Sequence, residues 1–175
     1  MKDVVIIGAG PVGLFSVFKC GMLGLQSFVF DALPFVGGQC VALYPTKPIY
    51  DIPAYPTIQA KELADNLFKQ ASIFNPTYKL GEKVIKITKT DNSFIVHGDK
   101  GTEVFSKTVL IAAGTGAFGP NRPPFENISE FEGTSIFYMV SDLEFFSNKN
   151  IVIAGGGDSA VDWAIELSKI RIRIE

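Results

Sequence analysis

Near its N-terminus the chain reads Val4-Val5-Ile6-Ile7 and then Gly8-Ala9-Gly10-Pro11-Val12-Gly13. The apolar run is rich in β-branched residues and stops at glycine, which predicts a short buried parallel strand. Pro11 to Leu23 places Leu14, Val17, Phe18 and Met22 roughly on one face and predicts a helix, with Gly24 as its stop. Ser27 to Phe30 predicts a second buried strand, closing on Asp31. A G-x-G-x-x-G run is weak alone. Between a strand and a helix, with an acid closing the next strand, it is the pattern of a dinucleotide-binding unit. Gly8 permits the tight turn, Gly10 lets the backbone approach phosphates, and Gly13 lets helix and strand pack closely. The first helical turn opens on Pro11, which has no N–H to lose, and from Val12 on offers unpaired N–H groups and the positive dipole end to a pyrophosphate. Asp31 can accept hydrogen bonds from a ribose hydroxyl pair. The bland alternative, a glycine-rich turn without a ligand, is disfavoured by that context.

The same order recurs about 147 residues later. Lys149 to Ala154 predicts a buried strand, and Ser159 to about Lys169 predicts a helix. Between them, Gly155-Gly156-Gly157-Asp158-Ser159-Ala160 matches G-x-G-x-x-A. Alanine is an accepted last residue of that pattern. Gly155, Gly157, Asp158, Ser159 and Ala160 are therefore candidates for a second dinucleotide site. Two such loops suggest a flavin reduced by a nicotinamide, in which the cofactors carry the hydride chemistry and the protein supplies position and electrostatics.

The 175 residues suffice for one ordinary domain or two small ones, and 47% hydrophobic with 19% charged can bury a core. A net charge of −2 exerts no pull toward nucleic acid or an anionic membrane. No apolar stretch reaches the length of a membrane span, and Asp3 and the early glycines disfavour a signal peptide. Two cysteines, Cys20 and Cys40, are too few for a disulfide framework and fit a reducing cytoplasm. His97 is the only histidine and is expected on a surface hairpin. No Ser-His-Asp set, metal cluster or P-loop is visible, so no catalytic side chain and no metal ligand is assigned.

Leu33 to Pro56 holds five prolines and two adjacent glycines without a clean period, and reads as a long functional loop. Gln59 to Ile73 predicts a helix with Leu63, Leu67 and Phe68 as core candidates. Val84 to Thr88, Ser93 to His97, Glu103 to Phe105 and Val109 to Ala112 predict short strands, a β-meander inserted in an α/β domain. Gly114 to Glu132 reads as an inter-domain linker, and Asp142 to Phe146 as a short helix. The expected fold class is α/β: a Rossmann-like β-α-β unit with an inserted meander, then the start of a second Rossmann-like domain.

Several segments together resemble the thioredoxin-reductase-like ferredoxin–NADP reductases. They are Gly37-Gly38-Gln39-Cys40-Val41-Ala42-Leu43-Tyr44-Pro45, Tyr50-Asp51, Ala60-Lys61-Glu62-Leu63 and Ala113-Gly114-Thr115-Gly116-Ala117-Phe118, with Gly155 to Ala164. The resemblance covers nearly the whole chain and fails only in the last half-dozen residues. It implies FAD held at the first glycine loop and by Asp31, Gly38, Gln39, Tyr44, Val84 and Phe118. Asp31 would take the adenosine ribose, Val84 would give backbone contacts at the adenine end, and Tyr44 would stack on the isoalloxazine. Gln39 and Phe118 would lie near the flavin. It further implies NADP at the second loop, ferredoxin or a similar electron carrier as partner, and a homodimer for the full-length protein. It divides the chain into residues 1–115, the FAD-binding part, and 116–175, a linker and an incomplete NADP-binding domain.

Cysteine placement separates this family from its relatives. Thioredoxin reductases carry C-x-x-C in the nicotinamide domain, but Phe137 to Phe146 here has no cysteine. Cys40 occupies the first place of a glutathione-reductase-like pair, and Pro45 occupies the second. A dithiol relay needs two thiols in reach, so electrons would leave the flavin directly. Cys40 reads as a small apolar filler and Cys20 as core. The family chain is about twice this length. The second unit is expected to lack its next strand and the basic residues for a 2′-phosphate; the alternation in Ser168 to Glu175 could form a strand or be a tail, and Arg171 and Arg173 read as part of an exposed tail. A domain cut this way would bind FAD weakly and be less soluble. Two other readings stay open: a catalytically silent nucleotide-binding fragment, and a reductase with another acceptor such as a quinone. Lys79, Lys83, Lys86 and Lys89 could meet an acidic carrier, although spaced lysines near a hairpin are usually just solvated.

Overall fold

The computed structural model describes residues 1–117, 119, 122–138, 140, 142–170 and the backbone of 173–174. It divides into two compact units, residues 1–121 and 122–175.

In the first unit, β1 (Lys2–Ile7) runs into α1 (Pro11–Met22) and back into β2 (Ser27–Asp31). The two strands pair in parallel, Val4 to Ser27 through Ile7 to Phe30. The next segment contains α2 (Gly38–Ala42) and a two-residue ribbon of β3 (Pro48–Ile49) and β4 (Ile58–Gln59). The long proline-rich loop is thus broken by a short helix and a bridge that its lack of period concealed. α3 (Ala60–Ser72) follows within a residue or so of expectation. Leu63 is buried and Leu67 half-buried, while Phe68 is more exposed and rests its ring on Tyr78.

β5 (Thr77–Leu80), absent from the sequence reading, pairs in parallel with β2. Its alternation of exposed and half-buried residues marks a sheet edge, which leaves only a faint apolar signal. β6 (Val84–Lys89) and β7 (Phe94–Gly98) form the meander with β8 (Glu103–Ile111). The strands expected at Glu103–Phe105 and Val109–Ala112 are one strand of nine residues. Its first part pairs antiparallel with β7 and its last part parallel with β1, with Ser106 taking part in both ladders. The polar Ser106-Lys107-Thr108 stretch mimicked a turn. Instead Ser106 is fully buried, and its hydroxyl donates to the Thr108 carbonyl at 2.7 Å. The sheet order is β5-β2-β1-β8-β7-β6.

β1 is apolar on both faces because both faces are covered. Val4 and Ile6 pack with Val17 of α1 and Ala71 of α3. Val5, one residue out of phase, packs instead with Phe30 and with Val96 and Val104 of the meander. The inserted hairpins therefore cover the face that the helices leave open.

In the second unit, β9 (Asn150–Ile151) precedes α4 (Asp158–Ser168). The expected Lys149–Ala154 strand is reduced to two paired residues, and the expected helix at Asp142–Phe146 is a single 3₁₀ turn at Glu144–Phe146. β10 (Arg173–Ile174) pairs in parallel with β9, so the second unit does begin its next strand. Glu132, at the end of the expected linker, is held by Arg122 (2.8 Å) and by the hydroxyl of Tyr138 (2.9 Å). Phe137, Phe145 and Phe146 pack edge to face on one another. No helix among the described residues is long and apolar enough to cross a membrane.

Candidate functional site

A cleft of about 530 Å³ opens in the first unit where β1, β2 and β8 end. Its floor is the turn that carries the chain from β1 into α1. Gly8 has φ +108°, a conformation that side-chain-bearing residues avoid, and a Cβ there would collide with the Ala112 carbonyl. At Gly13 a Cβ would strike the carbonyl oxygen of Gly8 itself, so helix and turn touch backbone to backbone. Val12 and Gly13 belong to the first turn of α1, whose amides have no carbonyl one turn earlier to accept them.

Two walls flank the floor. One is built from the end of β2 and the start of β6: Asp31, Ala32, Leu33, Glu82, Lys83 and Val84. Backbone hydrogen bonds from Gly81 to the Leu33 carbonyl (2.8 Å) and from Glu82 to the Asp31 carbonyl (3.0 Å) join these segments. The other wall holds Gly38, Gln39 and Cys40 of α2 with Gly114, Gly116 and Ala117 after β8. The Gln39 amide donates to Thr115 Oγ1 at 2.6 Å, and the Gly37 N–H to the Ala9 carbonyl at 2.8 Å. Gly10 and Gly38 face each other, and a Cβ on Gly38 would lie 3.0 Å from Gly10 Cα.

Asp31 has a part beyond the one its sequence position implied. Its Oδ2 accepts the Ala9 N–H at 2.6 Å, and its Oδ1 accepts the Leu33 N–H at 2.8 Å. The carboxylate thus ties the glycine turn to the end of β2 while still lining the cleft. Its two oxygens offer about four acceptor sites, so capacity remains for a ligand hydroxyl. Glu82 was not singled out in the sequence. It is fully buried and sits in the same wall. Burial pushes its carboxyl up, but hydrogen bonds from Thr102 and Lys100 and the Lys79 ammonium outweigh burial and hold it below the usual carboxylate range. Its only sequence signal was its place between a turn glycine and the strand of Val84.

The structure gathers Gly8, Gly10, Pro11, Val12, Asp31, Gly38, Gln39 and Val84 around one cleft, with Gly13 packed beneath it. Tyr44 does not line it. It is half-buried just beyond α2, with the Lys47 ammonium 5.1 Å from its ring centroid. Phe118 lies outside the described residues. Gly155 and Gly157 follow β9, and Asp158, Ser159 and Ala160 open α4. Gly155, Gly157, Asp158 and Ser159 are exposed. Arg171 lies outside the described residues, and Arg173 is described only by its backbone pairing.

Both cysteines are free thiols. Cys20 packs against the core, and Cys40 faces the cleft with its thiol pushed up by burial, a poor state for a nucleophile. His97 is more than a surface residue. Its ring bridges Glu103 (2.9 Å) and Thr88 (3.0 Å) across the meander. Among the described residues no cluster of His, Cys, Asp and Glu could hold a metal.

Residues 42–175 match the pyridine nucleotide-disulphide oxidoreductase family. The chain belongs to that family. Among curated relatives, the ferredoxin–NADP reductase of Ehrlichia canis (strain Jake) is 59% identical over 168 residues, 96% of this chain and 50% of the relative. That of Rickettsia conorii is 58% identical over 172 residues, 98% of this chain and 51% of the relative. The chain spans about half the length of the curated relatives it matches. Among solved structures, Lactococcus lactis thioredoxin reductase is 26% identical with a TM-score of 0.68, over 99% of this chain and 55% of that one. A steroid monooxygenase bound to NADP, 22% identical with a TM-score of 0.72 over 99% of this chain and 38% of its own, shares the fold. Cys20 and Cys40 are both free thiols, and the residue five places after Cys40 is Pro45 rather than a second cysteine.

Proposed function

We propose that this chain carries the FAD-binding part, residues 1–115, and the beginning of the NADP-binding part, residues 116–175, of a flavoprotein that moves electrons between NADPH and ferredoxin. The observation that carries the reading is a pair. A glycine-floored cleft is closed by Asp31 on one side and Gln39 on the other, in a chain 58–59% identical to ferredoxin–NADP reductases.

The residues present fit FAD. Gly10 and Gly38 pack backbone against backbone, a contact that a Cβ on Gly38 would crowd, and without side chains there the α1 N-terminus stays open to a close-lying pyrophosphate. The amides of Val12 and Gly13 and the α1 dipole would meet its charge. Asp31 would accept the ribose hydroxyls, and the Val84 backbone would face the adenine. Gln39, anchored by Thr115, would hold its amide toward the flavin. Tyr44 and Phe118 belong to the same proposal, as does NADP at Gly155, Gly157, Asp158, Ser159 and Ala160. When bound, FAD supplies the means to take a hydride from NADPH and pass electrons on singly. Cys40 has no second thiol five residues on, so no dithiol relay is proposed here and the acceptor would approach the flavin directly. The whole protein would be a cytoplasmic homodimer without nucleic-acid or membrane partners.

The same cleft would serve one rival, a chain that binds nucleotide without turnover. Purified chain is titrated with FAD, then with NADPH under anaerobic conditions, then with ferredoxin. Bound flavin that bleaches with NADPH and recovers with ferredoxin is expected. Bound flavin that NADPH never bleaches favours the silent fragment, and absence of flavin binding removes the proposal.

A further inference from the structure

Glu82 is a fully buried carboxylate in the wall of the cleft, and the proposed chemistry does not use it. Its Oε1 accepts the N–H groups of Thr102 (2.9 Å) and Lys100 (3.2 Å). Its Oε2 accepts the Thr102 hydroxyl (2.8 Å) and faces the Lys79 ammonium (3.5 Å). A carboxylate has about four acceptor sites, and these donors fill them. Glu82 therefore has no capacity left for a ligand, and whatever it does for the cleft it does through other groups.

Those groups are adjacent. The Glu82 N–H donates to the Asp31 carbonyl. The next residue, Lys83, donates its N–H to Asp99 Oδ1 (3.0 Å) and accepts the Asp99 N–H at 2.8 Å. At Gly98 a Cβ would collide with Glu82 Oε1, so the β7–β8 turn meets the carboxylate through a glycine backbone. Residues 82–84 are thus held between the end of β2 and the 98–102 turn, and the Glu82 side chain is the bolt. Burying a carboxylate is costly unless its hydrogen bonds are complete. Here they are complete, and they act on the segment that forms the wall.

We infer that Glu82 is a positioning residue for the adenosine half of the cofactor: it fixes the Lys83–Val84 backbone against which that half lies. The inference rests on the FAD reading above. It is tested on the 175-residue chain by measuring affinities for FAD and for its two halves, ADP and FMN, in the wild type, Glu82→Gln, Gly98→Ala and Thr102→Val. In Glu82→Gln an amide NH₂ replaces an acceptor among donors, and Kd for FAD and ADP is expected to rise about tenfold or more. Gly98→Ala should behave alike. Thr102→Val, which deletes one donor and keeps the volume, should raise both constants about threefold and serves if the harsher variants fail to fold. FMN affinity should stay within about twofold throughout, because a wall beside the adenosine does not touch the other half. FAD affinity unchanged in Thr102→Val, or FMN affinity falling in step with ADP, overturns the inference; the second result marks Glu82 as a general structural prop. If the wild type binds FMN and ADP but not FAD, or neither, the FAD reading itself has failed, and this inference falls with it.

Discussion

Single atoms decide how the cleft is made. The missing Cβ of Gly13 is where α1 rests on the Gly8 carbonyl. Gly13→Ala is expected to lift the helix start from the strand, cost about 1–3 kcal/mol in urea unfolding through overpacking, and weaken FAD binding with it. A variant as stable as wild type would show that the contact can relax. Tyr78 makes a different residue-level case. Its ring packs on Phe68 at 5.6 Å, while its hydroxyl is buried without a hydrogen-bond partner among the described residues. Burial pushes that hydroxyl up to about 12. The folded chain then holds the proton more tightly than the unfolded chain, whose tyrosine titrates near about 10. The associated stability is full below the unfolded value and is lost as pH rises through the folded one. Wild type should lose stability more steeply than Tyr78→Phe between about pH 10 and about pH 12 in urea melts. Parallel curves would refute the assignment. Below that range the phenylalanine variant should be no less stable, because it removes a buried hydroxyl with nothing to bond.

At the scale of elements, β8 is the member that turns two motifs into one sheet. Its antiparallel half belongs to the meander and its parallel half to the β-α-β unit. Val96 shows that the join is also a packing contact, since it is fully buried and clusters with Val5 and Phe30 of the parallel strands. Val96→Ala is expected to cost about 2 kcal/mol, the transfer of two methyl groups plus part of a cavity. A meander that merely decorated the surface would give a few tenths. The first helix and the first two strands were legible because glycine, proline and a continuous apolar run punctuate them. α2 was not, because five residues show little more than one helical period. β5 was hidden by its edge position. β8 was split by Ser106-Lys107-Thr108, polar residues that the sheet buries or pairs rather than turns.

For the molecule as a whole, the glycine turn, the two walls and the meander behind one of them make the cleft proposed for the dinucleotide, within the first unit. A ligand that binds only the folded state stabilises it by mass action. FAD at a hundredfold excess over its Kd should therefore raise the unfolding free energy by about 2.7 kcal/mol. Hydrogen exchange should slow at residues 8–13 and 82–84, and a shift confined to other segments would place the ligand elsewhere. The acid limb of stability has a sign too. The Asp3 carboxyl is lowered chiefly by its hydrogen bond from Lys107 and then by the Gln26 N–H, and Glu82 is also lowered despite its burial. Both contribute stability above the ordinary carboxylate range that is lost as pH falls through their depressed values. Asp3→Asn should flatten that acid limb, and an unchanged pH profile would count against the Lys107 contact.

By itself the sequence determined the first β-α-β unit, the place of the glycine turn at Gly8 to Gly13 and the acid that closes the next strand. These depend on neighbours in the chain: turn stereochemistry, helix starts and runs of apolar residues are local. Only the tertiary structure decided that Asp31 holds Ala9 as well as facing the cleft, and that Glu82 is buried between the end of β2 and the 98–102 turn. Each of those depends on segments far apart in sequence. Glu82 in particular is a charged residue in a turn until the hairpin at residues 98–102 folds over it, and no local pattern encodes which donors will surround a carboxylate there.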